Sequence, residues 1–186
     1  MAKLDRSKAN MNLIKNAIRK QKVYDNICKK DKTIILLELR KTTEQVCPFT
    51  GDTYPQNIDW TIEHFYPKSI AEYKHLQLEW TNLFHCVRYA NINFLNEERL
   101  GDLIYPNIYS PDETDYSTIF IFNPVTGKIR NKFDNDQRAN NTIRRYKLNS
   151  LDLIEKRKCC YEDYCNNKEY YKNKKQPFYE YFRTES

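Results

Sequence analysis

Apolar residues recur at helical spacing near the start of the chain. Met11, Ile14 and Ile18 share one face between Ser7 and about Ile27, and Lys15, Asn16, Arg19, Lys20 and Lys22 fill the rest. The pattern predicts an amphipathic helix with a mostly basic polar side. A second helix is expected from Asp31, a residue type suited to the N-cap, to near Gln45, burying Ile35, Leu36 and Leu39. Cys47-Pro-Phe-Thr-Gly-Asp reads as a turn, and Ile58-Asp-Trp-Thr-Ile alternates as a strand does, which puts Glu63 and His64 at the strand's end. From Glu79 to Leu95 the residues Trp80, Leu83, Phe84, Val87, Ala90, Asn91 and Phe94 suit a loop entering a helix. A hairpin is expected over 117–130, turning at Asn-Pro-Val-Thr-Gly. Helices return after Asn141, with Asn149 or Ser150 as a cap and Leu151 and Ile154 facing inward. The last stretch interleaves Tyr170, Tyr171, Lys172 and Lys174 with Phe178-Tyr-Glu-Tyr-Phe182. It could stack bases or pack on a protein partner, and partner docking is favoured because aromatic residues are enriched at protein interfaces.

These elements imply an α+β chain of 186 residues with one sizeable core. No repeat or long linker appears. The expected segments are N-terminal helices over 1–45, a central unit over 46–96, and a hairpin with a helical extension over 97–186. Lys and Arg outnumber Asp and Glu by 31 to 25. That balance suits a polyanionic partner and equally a solvated basic surface. Six cysteines, with neither a secretory apolar region nor a run long enough to span a membrane, point to a cytoplasmic protein with reduced thiols and no membrane partner.

The chemistry concentrates between residues 62 and 91. Phosphodiester hydrolysis needs a base to deprotonate water and a cation to neutralise the phosphate and the leaving oxygen. His64 titrates in the right range to be that base. Glu63 and Asn91 offer a carboxylate and an amide oxygen, a set suited to hydrated Mg²⁺ (or Mn²⁺). Asn82 is placed to brace the loop carrying His64. The candidate catalytic residues are therefore His64 and Asn82, and the candidate metal ligands Glu63 and Asn91. A Glu-His pair by itself is more often structural, so the surrounding motifs matter.

Those motifs are Cys47-Pro-Phe-Thr50-Gly51, Glu63-His64-Phe65-Tyr66-Pro67-Lys68-Ser69, and Trp80-Thr81-Asn82-Leu83 followed by Val87-Arg88-Tyr89-Ala90-Asn91. Together they resemble the HNH (His-Me finger, ββα-metal) endonucleases, and within them the PtuB-like proteins of retron and Septu-type anti-phage systems. The likeness extends downstream through Tyr109-Ser-Pro-Asp, Val-Thr-Gly-Lys-Ile and Leu148-Asn149-Ser-Leu-Asp-Leu-Ile-Glu-Lys-Arg157, covering roughly residues 33 to 160. It implies a ββα-metal core with flanking helices and an extra hairpin. It also implies a metal-dependent nuclease whose general base falls on His64, metal ligands on Glu63 and Asn91, and loop-orienting amide on Asn82. DNA is the favoured substrate over RNA. The implied partner is a PtuA-like ABC/SMC-type ATPase, joined by retron non-coding RNA and DNA where a retron is present.

The chain departs from the family twice. Glu63 stands where the family has Asp, one methylene longer. Thr50, Val87 and Ala90 replace three of its four zinc cysteines, leaving Cys47 in register. Zinc requires four soft or imidazole ligands, so no structural zinc is expected, and packing with Phe49 and Phe84 should join the two loops instead. Cys86, one position from the expected ligand, should point elsewhere on a helix. Cys159, Cys160 and Cys165 read as free thiols, and His75 and His85 as surface or packing residues. The competing reading is a catalytically degenerate HNH-fold subunit that positions nucleic acid or bridges ATPase protomers. The absence of helix-turn-helix or finger spacing argues against a sequence-specific DNA-binding module.

Overall fold

The computed structural model describes residues 5–19, 21–43, 46–53, 60–92, 103–104, 119–171, 178 and 182. Outside them lie Gln45, Ile58, Asp59, Phe94, Leu95, the Tyr109 to Asp112 motif and the basic Lys172 and Lys174. The described residues combine helices with two small antiparallel sheets, an α+β composition.

The amphipathic N-terminal pattern yields shorter pieces than expected: a 3-10 turn at Arg6–Lys8, helix α1 at Met11–Ile18, and a second 3-10 turn at Tyr24–Asn26. Asn10 starts α1, its side chain accepting from the backbone N–H groups of Asn12 and Leu13. The helix stops because the next positions on its apolar face are Gln21, Lys22 and Asp25. Tyr24 is buried from the second 3-10 turn and Ile27 from the residue that ends it. Helix α2 runs Lys29–Lys41, with Cys28 rather than Asp31 at the N-cap. Asp31 falls in its first turn, where a negative charge complements the helix dipole. Ile35 and Leu39 face inward with Ala17, Tyr24, Ile27 and Leu83.

Strand β1 (Trp60–His64) pairs antiparallel with β2 (Leu83–Val87), in a register that sets Glu63 opposite Phe84 and His64 opposite Leu83. A short helix α3 (Arg88–Ile92) follows at once. β2 corrects the expectation of a loop entering a helix. All its residues are buried, and a strand covered on both faces shows a continuous apolar run in place of alternation. Leu83, Phe84 and Val87 also happen to fall at helical spacing.

The expected hairpin is present as β3 (Phe120–Phe122) and β4 (Ile129–Asn131). Gly127 closes its turn at φ +68°, a backbone conformation glycine adopts without strain. Asn149 reaches across to both backbone groups of Ile129 at 2.8 and 2.7 Å. Helix α4 (Gln137–Arg145) is capped by Asp136, earlier than the expected start after Asn141. Helix α5 (Leu151–Asn166) has Ser150 at its N-cap position, and α6 covers Lys168–Tyr171. Leu151 was expected inward and is 79% exposed. Leu153 and Ile154 carry the inward face.

One apolar cluster joins Cys47, Phe49, Phe84, Val87 and Ala90 to Phe120, Phe122, Tyr146 and Leu153, so the central hairpin and the C-terminal part share a core. Phe178 and Phe182 belong to it, 1% and 2% exposed, which corrects the docking expectation for those two aromatics. Tyr170 remains exposed. Arg157 is fully buried and donates to the Gly127 carbonyl at 2.9 Å, fastening α5 to the hairpin turn.

Candidate functional site

β1 ends in a cavity of about 370 Å³ lined by Glu63, His64 and Asn91, with Tyr24, Lys68 and Arg145 on its walls. Three of the four sequence-predicted residues therefore meet in one hollow. Asn82, the fourth, sits behind it. Its Oδ1 accepts from the Tyr66 N–H at 2.7 Å, and its Nδ2 donates to the carbonyls of Tyr66 at 3.0 Å and Leu76 at 3.1 Å. That amide ties both ends of the segment after β1 together, the bracing role read from the sequence.

His64 is 7% exposed, and its Nε2 lies 3.0 Å from the Gln77 carbonyl. A carbonyl only accepts, so Nε2 carries the proton and Nδ1 of the neutral ring is left as the acceptor. The edge of Tyr24 packs on the ring at a centroid distance of 4.5 Å. Burial lowers the imidazole to about 4, with nearby Lys68 acting in the same direction and the Gln77 bond opposing. The ring is therefore uncharged at neutral pH, the state a base requires.

Glu63 is also 7% exposed, and burial pushes its carboxyl up to about 8 against the opposing charge of Arg145. Among the described residues none donates a hydrogen bond to that carboxyl. Asn91 donates Nδ2 to Thr61 Oγ1 at 3.2 Å and to the Ile62 carbonyl at 3.4 Å. Its amide nitrogen is thus committed to β1, leaving Oδ1 on the opposite side of the carboxamide. A buried carboxyl without a described donor and an amide held by its nitrogen are chemically suited to an oxygen-seeking divalent cation. Among the described residues no group of three or more His, Cys, Asp or Glu side chains gathers that could hold a metal. A cation here would have few protein ligands and keep much of its water, as Mg²⁺ prefers.

No family model matches the sequence, and no curated protein matches it.

The second expected feature, the joint between the Cys47 turn and the start of α3, is packed. Cys47, Phe49, Thr50, Val87 and Ala90 are all buried, and the Phe49 and Phe84 rings meet edge-on at 5.4 Å. Cys86 does not point elsewhere. It is fully buried on β2 in the same apolar cluster as Cys47, and its thiol donates to the Val87 carbonyl at 3.4 Å. Burial alone would raise the Cys47 thiol. The neighbouring Cys86 thiol, the Thr50 hydroxyl and the Val87 and Thr50 backbone groups overcome that and bring it to about 6. His85 is fully buried with Nε2 near Thr43 Oγ1 at 2.8 Å and the Val46 carbonyl at 2.9 Å, and His75 is exposed, both as expected of packing and surface residues. No helix among the described residues is long and apolar enough to cross a membrane.

Sequence reading missed Tyr24, Gln77 and Arg145. Gln77 acts through a main-chain carbonyl, which any residue supplies, and through Oε1, which accepts from the Tyr24 N–H at 3.0 Å. Tyr24 in turn lies beneath Lys68, whose ammonium is 5.2 Å from the ring centroid and pairs with Asp25. The N-terminal turn is thereby fastened against the histidine.

Proposed function

We propose that this chain is a metal-dependent nuclease of the HNH type, with β1, β2 and α3 as its ββα-metal core. The observation that carries the reading is His64: a buried, neutral imidazole with Nε2 on the Gln77 carbonyl and Nδ1 left to accept, sharing a cavity with Glu63 and Asn91. Glu63 and Asn91 would hold Mg²⁺ or Mn²⁺, which would supply positive charge against the phosphate and the leaving oxygen. His64 Nδ1 takes a proton from water as the water oxygen bonds to phosphorus. The bond from phosphorus to the leaving oxygen breaks, and that oxygen collects a proton from solvent. Asn82 holds the loop behind His64, and the Gln77 carbonyl and the Tyr24 edge hold the ring in place. Glu63 would offer a cation its carboxylate through one methylene more than the family's Asp.

The role as effector of an anti-phage complex with an ABC/SMC-like ATPase rests on the sequence resemblance alone. The test is digestion of DNA and RNA with Mg²⁺ or Mn²⁺ by the purified protein together with any ATPase that co-purifies with it, comparing wild type with His64→Ala. Expected is cleavage that the substitution reduces by roughly 100-fold or more, the usual worth of a positioned base. Equal digestion by both proteins, or none by either, would refute the reading and leave the scaffold alternative.

A further inference from the structure

Helix α4 ends in two arginines that go different ways. Arg144 is exposed and donates to Asn141 Oδ1 at 3.4 Å, whereas Arg145 lines the cavity with Glu63, His64 and Asn91. The core sets this direction. Tyr146, the next residue, is 1% exposed and stacks on Phe49 at 4.5 Å with an interplanar angle of 19°. One turn earlier, Thr142 Oγ1 accepts from the Ile104 N–H at 2.9 Å. The end of α4 is therefore pinned from below while its last side chain joins the cavity wall. Lys68, also on the cavity wall, pairs with Asp25. Arg145 and Glu63 line the same cavity, and the positive charge of Arg145 opposes the upward push of burial on the Glu63 carboxyl.

We infer that Arg145 is a catalytic residue that binds a non-bridging oxygen of the scissile phosphate, so that the C-terminal part of the chain completes the site built by the central hairpin. This rests on the phosphodiesterase reading above. A guanidinium is always charged, and its planar fork matches phosphate geometry. Fixed in a partly buried wall, it meets the charge that develops on the equatorial oxygens without reorganising. The bland alternative is an arginine that only complements the helix dipole or balances Glu63.

The discriminating experiment uses wild type, Arg145→Gln, Arg145→Lys and His64→Ala with Mn²⁺ on two probes. One is bis(p-nitrophenyl) phosphate and the other bis(p-nitrophenyl) methylphosphonate, in which a methyl group replaces one non-bridging oxygen. Binding of inorganic phosphate is measured by calorimetry on the same proteins, after thermal melts confirm that each is folded. Arg145→Gln is expected to lower kcat/KM on the phosphate by roughly 100-fold, and Arg145→Lys by less. On the methylphosphonate the wild-type advantage over Arg145→Gln should shrink to about threefold, because this probe is uncharged and its one remaining non-bridging oxygen carries no full negative charge for the guanidinium to meet. Phosphate binding should weaken about tenfold in Arg145→Gln and persist in His64→Ala. An equal loss on both probes with unchanged phosphate binding would overturn the assignment. If wild type and His64→Ala are equally inactive while phosphate binding still depends on Arg145, the hydrolase reading falls and the phosphate site stands. If neither activity nor Arg145-dependent binding appears, both fall.

Discussion

Replacing Asn82 by alanine removes one carboxamide and three hydrogen bonds, from the Tyr66 N–H and to the carbonyls of Tyr66 and Leu76, the last of which keeps the Glu79 N–H at 3.0 Å. Each such bond contributes about 1 kcal/mol net, and an orphaned buried group costs roughly 1 to 3 kcal/mol. Asn82 itself is 3% exposed, whereas Tyr66 and Leu76 are half-buried, so water can reach part of what is left behind. The balance is a destabilisation of about 2 to 4 kcal/mol. It is read as a lower urea midpoint at unchanged m-value, which separates lost stability from a changed unfolded state. Hydrogen exchange localises the effect, because the Tyr66 amide should lose protection before the β1–β2 amides do. Asn82→Asp sharpens the test. The aspartate keeps an acceptor for the Tyr66 N–H but turns a second oxygen toward two carbonyls, so it should destabilise at least as much as alanine despite its near-identical shape. A loss below about 1 kcal/mol in alanine, or a wild-type midpoint in Asn82→Asp, would refute the claim that this amide holds the loop behind His64.

Acid should weaken the fold through His85. Burial lowers its folded value to about 3 against an ordinary 6.5. The stability is therefore complete above pH 6.5 and is lost as pH falls toward 3, at up to about 1.4 kcal/mol per unit for one proton. Thermal melts between pH 7 and pH 4 should show a shallower decline in His85→Gln than in wild type, and parallel slopes would count against it. Gly127→Ala puts a Cβ 2.7 Å from the Ile154 carbonyl oxygen at φ +68°, so the urea midpoint should fall by an amount equivalent to roughly 2 to 4 kcal/mol, and a change below about 0.5 kcal/mol would contradict the close approach of turn and helix. Native protein treated with a thiol-reactive disulfide should lose exposed Cys28, Cys159 and Cys165 quickly, with Cys47 and Cys86 reacting only in denaturant. Mass mapping that finds Cys47 labelled in the native state would contradict the packed joint.

The parts of the site legible in the sequence are those close together along the chain. Alternation up to Ile62 places Glu63 and His64 at a strand end, and the Trp-Thr-Asn-Leu run marks Asn82 as a local brace, because a strand and the loop leaving it are short-range objects. β2 was hidden by its own burial. With Leu83, Phe84, His85, Cys86 and Val87 all inside, period 2 has no polar partner to alternate with, and the residues fit a helix as well as a strand. Misreading β2 then misplaced Cys86. On a helix it points away from the Cys47 turn, whereas on a strand opposite Thr61 it packs against that turn.

The remaining walls of the cavity carry no local signature, for reasons that differ with the residue. Tyr24 is brought to His64 by the end of α1 and by a bond from its own N–H to Gln77 Oε1, neither of which a helical stripe foretells. Gln77 supplies a carbonyl that any side chain would leave unchanged. Arg145 looks like the ordinary basic end of a helix, the composition the helix dipole favours whether or not a ligand is near. The stacking of Tyr146 on Phe49, with the bond from the Ile104 N–H to Thr142, turns that helix end toward the cavity, and the stacking contact spans just over half the chain. A position whose identity is explained equally well by the dipole and by a phosphate is one where composition cannot discriminate. The comparison between phosphate and methylphosphonate probes isolates the one property, contact with a charged oxygen, in which the two explanations differ.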